Sequence, residues 1–237
     1  VPPSTEWNWV KGVYEGMKKA LNKFGGELLG GDCSQGNQKV LSITALGSRG
    51  QLRLHRTDAM PGDLIVCTGV HGLSRLGLAL LLEQDEIKNQ QINKDLKLRA
   101  INCHKQPIPR LDLIKKLKLS KPKGYPLRAA ATDSSDGLLE AILNICISSK
   151  CQAFLNRSAL PKDKEWPVGD YWDKCYLSSG EDYELILSLP PQWAHSLVNL
   201  FPEISIIGSM QKGTPIIKLD NGEEINETNS YSFQHFK

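Results

Sequence analysis

The chain has 237 residues, of which 40% are hydrophobic and 23% charged, and its formal net charge is +3. This composition is typical of an ordinary folded protein and excludes a disordered chain, and the length allows one large domain or two modest ones. The positive charge is too small and too dispersed to predict a nucleic-acid partner. The longest apolar run, 76–82, is too short to cross a bilayer, so we expect no membrane association.

The first part of the chain predicts one helix followed by two strands. Ser4 or Thr5 can cap an amphipathic helix that runs to about Lys23. Short apolar segments then predict strands over 27–29 and 39–46.

Strands and helices alternate after the turn at 61–63, which predicts a layered α/β (α+β) architecture. A hairpin is predicted around 220–222 because Asp-Asn-Gly is a strong turn signal. We predict strands over 64–67, 128–132, 152–156, 182–189 and 205–208, and helices over 73–83, 88–102, 110–118, 170–177 and 191–200, with another from Leu138 onward.

The six cysteines show no C-x-x-C spacing, which argues against a zinc ribbon or a disulfide scaffold. Reduced thiols are usual in the cytoplasm. The sequence therefore predicts a cytoplasmic protein.

The segment Ala-Thr-Asp-Ser-Ser-Asp-Gly-Leu-Leu at 131–139 places two carboxylates and the hydroxyls of two serines where a strand passes into an apolar helix. Helix N-termini favour phosphate, and Mg²⁺ prefers carboxylate oxygens beside substrate phosphates. These carboxylates and hydroxyls are therefore candidate metal and phosphate ligands. The alternative is that Ser135 or Asp136 simply caps the helix.

Two weaker signals precede this segment. Gly-Gly-Asp at 30–32 allows a phosphate to approach the backbone, with a carboxylate to hold its metal, but it is also an ordinary turn. Arg56 lies before the turn at 61–63 and can clamp a phosphate, or it can be an ordinary surface arginine.

Three acids follow one another closely at 181–184, where a strand is predicted to begin. Acidic residues are poor strand formers, so their presence indicates use, such as hydrogen bonding to a cationic or hydroxylated substrate. An exposed acidic strand edge is the alternative. Gly-Val-His-Gly at 69–72 is interpreted as a packing turn, because it lacks the full dinucleotide fingerprint. Walker A, H-E-x-x-H and G-x-S-x-G motifs are absent from the sequence.

In their order and spacing, four of these motifs resemble the thiamine-monophosphate kinase family, a branch of the aminoimidazole ribonucleotide synthetase superfamily. They are Gly-Gly-Asp at 30–32, Arg56 before Pro-Gly-Asp at 61–63, Asp-Ser-Ser-Asp-Gly at 133–137 and Gly-Glu-Asp-Tyr-Glu-Leu at 180–185. Pro-Ile-Pro-Arg at 107–110 also resembles the family's P-x-P-R segment. The likeness covers essentially the whole chain, and the last two of the four motifs are fairly specific.

The resemblance implies that ATP phosphorylates thiamine monophosphate to thiamine diphosphate by direct in-line transfer, with several Mg²⁺ ions and no side-chain nucleophile. It also implies a homodimer for the complete protein. The implied contacts are metal ligation by Asp32, Asp133 and Asp136, ATP binding by Gly31, Asp32, Arg56 and Ser135, and substrate binding by Glu181 and Phe233.

The resemblance further implies a remnant of a small N-terminal ATP-binding domain over 1–58 and a C-terminal α/β domain of the aminoimidazole ribonucleotide synthetase type over 61–237. The family's N-terminal segment with further metal-binding aspartates is missing, so we expect an N-terminally truncated form. Three positions depart from the family pattern: Cys33 replaces threonine, Ser134 replaces an apolar residue, and Ser179 replaces a second glycine.

Two alternatives remain open from the sequence. One is another ATP-using relative, such as selenophosphate synthetase or aminoimidazole ribonucleotide synthetase. The other is a non-catalytic remnant that binds a nucleotide or a thiamine phosphate.

Overall fold

The computed structural model describes residues 1–48, 50–88 and 90–226. The chain divides into two compact units, Val1–Arg49 and Gly50–Lys237, and each is described by itself. This division concerns compactness, whereas the predicted boundary between residues 58 and 61 concerns the domains of the family, and that boundary stays a prediction.

The first unit contains helix α1, Trp7–Phe24, which confirms the predicted helix. No residue of α1 is buried. The helix ends at Gly25, whose φ of 87° is readily adopted by glycine and whose N–H donates to the carbonyl oxygen of Leu21.

The predicted strands over 27–29 and 39–46 are wrong, because the chain from Gly25 to Ser48 is irregular. A strand requires a neighbour whose backbone groups accept and donate its hydrogen bonds. Among the described residues, no segment pairs with either stretch.

The second unit is built on a seven-stranded sheet with the order β2-β4-β1-β5-β3-β6-β7. All neighbouring pairs are antiparallel except β3 and β6. The strands are β1 (Leu64–Cys67), β2 (Ala130–Asp133), β3 (Gln152–Leu155), β4 (Leu185–Leu189), β5 (Ser205–Gln211), β6 (Ile217–Leu219) and β7 (Glu224–Ile225). The predicted closing hairpin is confirmed by the antiparallel pairing of β6 with β7.

Helices cover both faces of this sheet. Because side chains along a strand alternate between its faces, neighbouring residues of one strand pack in two different cores. In β1, Ile65 and Cys67 pack in one hydrophobic core, whereas Val66 packs in the other. The first core is shared with α2, α4, α6 and α7, and the second with α5 and α8. These helices are α2 (Leu73–Leu81), α3 (Asp85–Lys88), α4 (Lys94–Lys105), α5 (Leu113–Ser120), α6 (Leu138–Ser149), α7 (Asp170–Ser178) and α8 (Pro191–Leu200).

Two predicted boundaries are corrected. β4 begins at Leu185 rather than at 182, because Glu181 and Tyr183 have φ values of 69° and 53°, outside the range of a strand. The helix predicted over 88–102 is two helices, α3 and α4. No helix in the described ranges combines the length and apolar character needed to cross a bilayer.

Helices α2 and α4 approach closely at Gly77. A Cβ atom at this position would lie 2.6 Å from the carbonyl carbon of Ala100 and 3.0 Å from the Cβ of His104. Close packing here fixes the α2 helix, whose N-terminus belongs to the site described below.

Replacing Gly77 by alanine is expected to lower the free energy of unfolding by about 1–3 kcal/mol, because the added methyl group overpacks this contact. Gly12→Ala in α1 is the matched control, since no atom lies within 4 Å of its Cβ position, and it should stabilise by about 0.5–1 kcal/mol. Urea unfolding of both variants measures the difference. Equal effects in the two variants would contradict the close approach.

Candidate active site

Three loops meet at one edge of the sheet of the second unit. Asp133 at the end of β2 pairs with Leu185 at the start of β4, and Cys67 at the end of β1 pairs with Ile186. The loops that follow β1 and β2 and the loop that precedes β4 therefore lie together.

The turn from β2 to α6 carries the predicted metal ligands. Asp133 and Asp136 are exposed, whereas Ser134 between them is fully buried. Gly137 occupies the N-cap position with a φ of 112°, and no side chain caps the helix. The interpretation of Ser135 or Asp136 as a helix cap is therefore wrong.

The carboxylates of Asp133 and Asp136 have no hydrogen bond or salt bridge with any described residue. Two free carboxylates beside an oxygen-rich turn suit Mg²⁺, which proteins commonly hold by one or two carboxylates together with substrate phosphates and water. Within the described ranges, no group of three or more His, Cys, Asp or Glu side chains is arranged to hold a metal ion alone.

Arg56 lies beside this turn, in a short 3₁₀ helix at Arg56–Asp58. Its Nε donates to Thr132 Oγ1 at 3.0 Å, and Ser149 Oγ donates to its backbone oxygen at 2.6 Å. The Arg56 side chain is thus held through Nε by Thr132, the residue that precedes Asp133.

The loop before β4 folds against the same turn. The backbone N–H of Glu181 donates to Ser135 O at 2.8 Å, and a Cβ at Gly180 would lie 3.2 Å from the Cα of Asp136. Glu181 keeps an exposed side chain (59%), and its Oε2 lies 3.5 Å from Nδ1 of His104. The same ring nitrogen lies 3.0 Å from Ser74 Oγ.

Asp182 is buried and closes the N-terminus of α2. Its Oδ2 accepts from the backbone N–H of Gly72 at 2.6 Å, and its Oδ1 accepts from that of Ser74 at 3.0 Å. Burial raises the pKa of Asp182 to about 7; the two N–H donors oppose this rise, and the carboxylates of Glu184 and Glu181 add to it.

Glu184 joins three segments of the chain. Its Oε2 accepts from Thr68 Oγ1 at 2.5 Å and from Arg110 Nη1 at 2.6 Å. Arg110 also donates to the backbone oxygen of Thr68 and forms a paired contact with Asp112. The alternative of an exposed acidic strand edge is therefore wrong for Asp182 and Glu184, whose carboxylates accept hydrogen bonds from other loops of the protein.

A second buried connection runs from β1 to the β2–α6 turn. His71 Nε2 lies 2.9 Å from Ser134 Oγ, and both side chains are fully buried. Burial lowers the pKa of His71 to about 4, so the imidazole is neutral at physiological pH.

The remaining predicted residues belong to other parts of the sequence. Gly31 and Asp32 belong to the first unit, where both are exposed and Ser34 Oγ donates to Asp32 Oδ2 at 3.0 Å. Metal ligation by Asp32 stays a prediction. Phe233 lies outside the described residues. Clefts of about 370 and 180 Å³ lie elsewhere on the second unit, and none of the predicted site residues within the described ranges lines either one.

Sequence reasoning missed most of the residues that hold the loops together. His71 was interpreted as part of a packing turn, and Arg110 was noted only as part of a motif. The one local indication was Ser134 itself, a polar residue where the family pattern has an apolar one, which suggests a buried hydrogen-bond partner.

Two comparisons define the class of protein. Residues 1–48 match the family model described as AIR synthase related protein, N-terminal domain. The solved structure of AaThiL complexed with AMPPCP and TMP aligns over 100% of this chain and 71% of that chain, with a TM-score of 0.75 and 23% sequence identity. The chain therefore has the fold of the AIR synthase related proteins, and the predicted mixed α/β fold class is confirmed.

Two curated relatives specify the family. The thiamine-monophosphate kinase of Prochlorococcus marinus is 50% identical over 235 residues, which are 99% of this chain and 71% of the relative. That of Synechococcus elongatus is 36% identical over 239 residues, which are 100% of this chain and 71% of the relative. The chain belongs to the thiamine-monophosphate kinase family, which confirms the resemblance and places it among the phosphate-transferring enzymes.

Asp182→Asn is expected to change how stability depends on pH. The pKa of Asp182 is about 7 in the native state and about 4 in the unfolded state, so between these values the native state holds more protons. Its contribution to the free energy of unfolding therefore falls as pH rises through this window. The difference in free energy of unfolding, unaltered protein minus variant, should therefore fall from pH 4 to pH 7 and level off above.

Urea unfolding at several pH values measures this difference. Asp85→Asn is the matched control, because this carboxylate is exposed and its salt bridge within the described part of the chain is to Lys88, three residues along its own helix. A flat difference for Asp182→Asn, equal to that of the control, would contradict the assignment.

Proposed function

We propose that the chain transfers the γ-phosphoryl group of ATP to thiamine monophosphate, forming thiamine diphosphate and ADP by direct in-line transfer with Mg²⁺. The 50% identity to a thiamine-monophosphate kinase over nearly the whole chain supports the substrate. The AaThiL structure, complexed with AMPPCP and TMP, supports ATP as the phosphoryl donor, since AMPPCP is an ATP analogue.

The observation that carries the proposal is the pair of exposed carboxylates at the β2–α6 turn, which have no polar partner among the described residues. Asp133 and Asp136 flank Ser134 and Ser135, and the Ser134 side chain is buried. A turn anchored by a buried serine, with two carboxylates available to a cation, suits in-line phosphoryl transfer, which requires positioning and charge stabilisation rather than covalent chemistry by the protein.

In this proposal Asp32, Asp133 and Asp136 would hold Mg²⁺, whose charge would stabilise the phosphate groups during transfer. Gly31 allows the nucleotide to approach the backbone, and Ser135 donates a hydrogen bond to ATP. Arg56, whose Nε is engaged by Thr132, offers its terminal nitrogens to ATP phosphates.

Glu181 and Phe233 are proposed to bind the thiamine moiety, with the phenyl ring as a flat apolar wall. A phosphate oxygen of thiamine monophosphate attacks the γ-phosphorus, and the bond to the ADP oxygen breaks. No side-chain base is assigned, because a phosphate with a second pKa near ~6 is already mostly ionised at neutral pH.

We further infer that the enzyme works in the cytoplasm as a homodimer. All six cysteines are free thiols, as is usual in a reducing compartment. The homodimer rests on the family resemblance.

Thiamine diphosphate formation from thiamine monophosphate and Mg-ATP is the first experiment, read as thiochrome fluorescence after chromatographic separation. We expect product with thiamine monophosphate and none with selenide or formylglycinamidine ribonucleotide. The assay includes this chain and the chain extended upstream in its own reading frame, because the alignment covers 71% of the relatives. Calorimetric binding of nucleotide without turnover by either form would favour the binding-only alternative.

Asp133→Asn is expected to lower kcat by at least a hundredfold in the active form while the far-UV circular dichroism spectrum stays unchanged. The substitution keeps the shape of the side chain but removes the negative charge that a hard cation requires. Asp85→Asn, at an exposed carboxylate of α3, should turn over normally. Near-normal turnover of Asp133→Asn would rule out its role as a metal ligand.

A further inference from the structure

A network of buried hydrogen-bonding groups lies directly behind the Asp133–Gly137 turn. Ser134 Oγ accepts from the backbone N–H of Glu184 at 3.1 Å, and the backbone N–H of Ser134 donates to Glu184 O at 2.8 Å. On its other side, Ser134 Oγ lies 2.9 Å from His71 Nε2. One serine thus connects the turn to both neighbouring loops.

The donors and acceptors of this network can all be satisfied in a single arrangement. The thiol of Cys67 donates to the carbonyl oxygen of Gly69 at 3.1 Å, and His71 Nδ1 lies 3.6 Å from Cys67 Sγ. A ring hydrogen on Nδ1 directed to that sulfur leaves Nε2 as an acceptor, and the hydroxyl of Ser134 is then its donor. The neutral histidine and the serine therefore have defined roles, assigned from the network.

Burying a polar pair lowers the free energy of unfolding relative to an apolar pair of the same size, unless every polar group has a hydrogen-bond partner. Here the satisfied pair fixes the orientation of a residue whose immediate neighbour is Asp133 and whose second neighbour is Asp136. With the Ser134 side chain buried against His71, the carboxylates of Asp133 and Asp136 lie exposed on either side of it.

We propose that His71 and Ser134 are positioning residues that hold the Asp133–Gly137 turn in the geometry needed to bind Mg²⁺ together with the nucleotide. The inference rests on the proposed function, and it assigns to this pair a role in metal affinity rather than in the chemical step. Neither side chain touches substrate or metal; both act through the turn.

A purely structural role is the competing explanation, and stability alone does not separate the two. A structural pair lowers the free energy of unfolding when it is broken and leaves the affinity of the folded protein for Mg²⁺ unchanged. A positioning pair changes that affinity in the folded protein, and hydrogen-bonding partners of metal ligands typically alter it by about 10–100-fold.

The test measures Mg²⁺ binding by calorimetry in the presence of a non-hydrolysable ATP analogue, so that no turnover is needed. Ser134→Ala and His71→Leu should each weaken Mg²⁺ binding by about tenfold. The double variant should be no weaker than either single variant, because both remove the same interaction. His71→Gln, whose amide reaches the position of Nε2, should bind within about threefold of the unaltered protein.

Ser120→Ala is the matched control. Ser120 is a buried serine that accepts from the indole N–H of Trp193 at 3.1 Å, in the core on the opposite face of the sheet. It should lose stability as Ser134→Ala does and bind Mg²⁺ normally. If Ser134→Ala does not fold, Ser134→Cys, which keeps a weak donor of similar size, takes its place with a change in the same direction.

Normal Mg²⁺ affinity in folded Ser134→Ala and His71→Leu would overturn the proposal and leave the pair with a structural role. Additive losses in the double variant would overturn the coupling between the two residues. Failure of the unaltered protein to bind Mg²⁺ with the analogue would instead overturn the proposed function, so the two failures are distinguishable.

Discussion

Strand β4 runs antiparallel to both of its neighbours, β1 and β2, so its first residue lies beside their last ones. The pairing of Asp133 with Leu185 brings together loops that are about fifty residues apart in the chain. A shift of this register by one residue would send every side chain of β4 to the opposite face. The polar contacts of Ser188 with Asp63 and of Glu184 with Ser134 depend on this register, and the geometry of the site follows from it.

The three acids that precede β4 have different roles, which their burial determines. Asp182 accepts from the N-terminus of α2, where the helix dipole favours a negative group. Glu184 is held by Thr68 and Arg110. Only Glu181 of the three is exposed, so it alone remains available for a substrate. A sequence that shows three similar carboxylates does not distinguish these roles, since the partners of each lie in distant segments.

Local signals predicted much of the fold. The apolar run at 64–67, the apolar helix from Leu138 and the Asp-Asn-Gly hairpin each depend on neighbours in sequence, and the structure contains all three. The strands predicted over 27–29 and 39–46 failed because a strand depends on a partner that apolar content does not reveal. The contact of His71 with Ser134 spans 63 residues, and no local pattern predicts a contact of that kind.

The backbone before β4 shows how the exposed acid is separated from the buried ones. Glu181 and Tyr183 both have left-handed φ values, which cost about 1–3 kcal/mol each for residues other than glycine. The N–H of Glu181 bonded to Ser135 and the double connection of Ser134 with Glu184 offset this cost. The strand begins only after these two left-handed residues, at Leu185. Glu181 is exposed beside His104, while the buried Asp182 and the partly buried Glu184 hold the loops together.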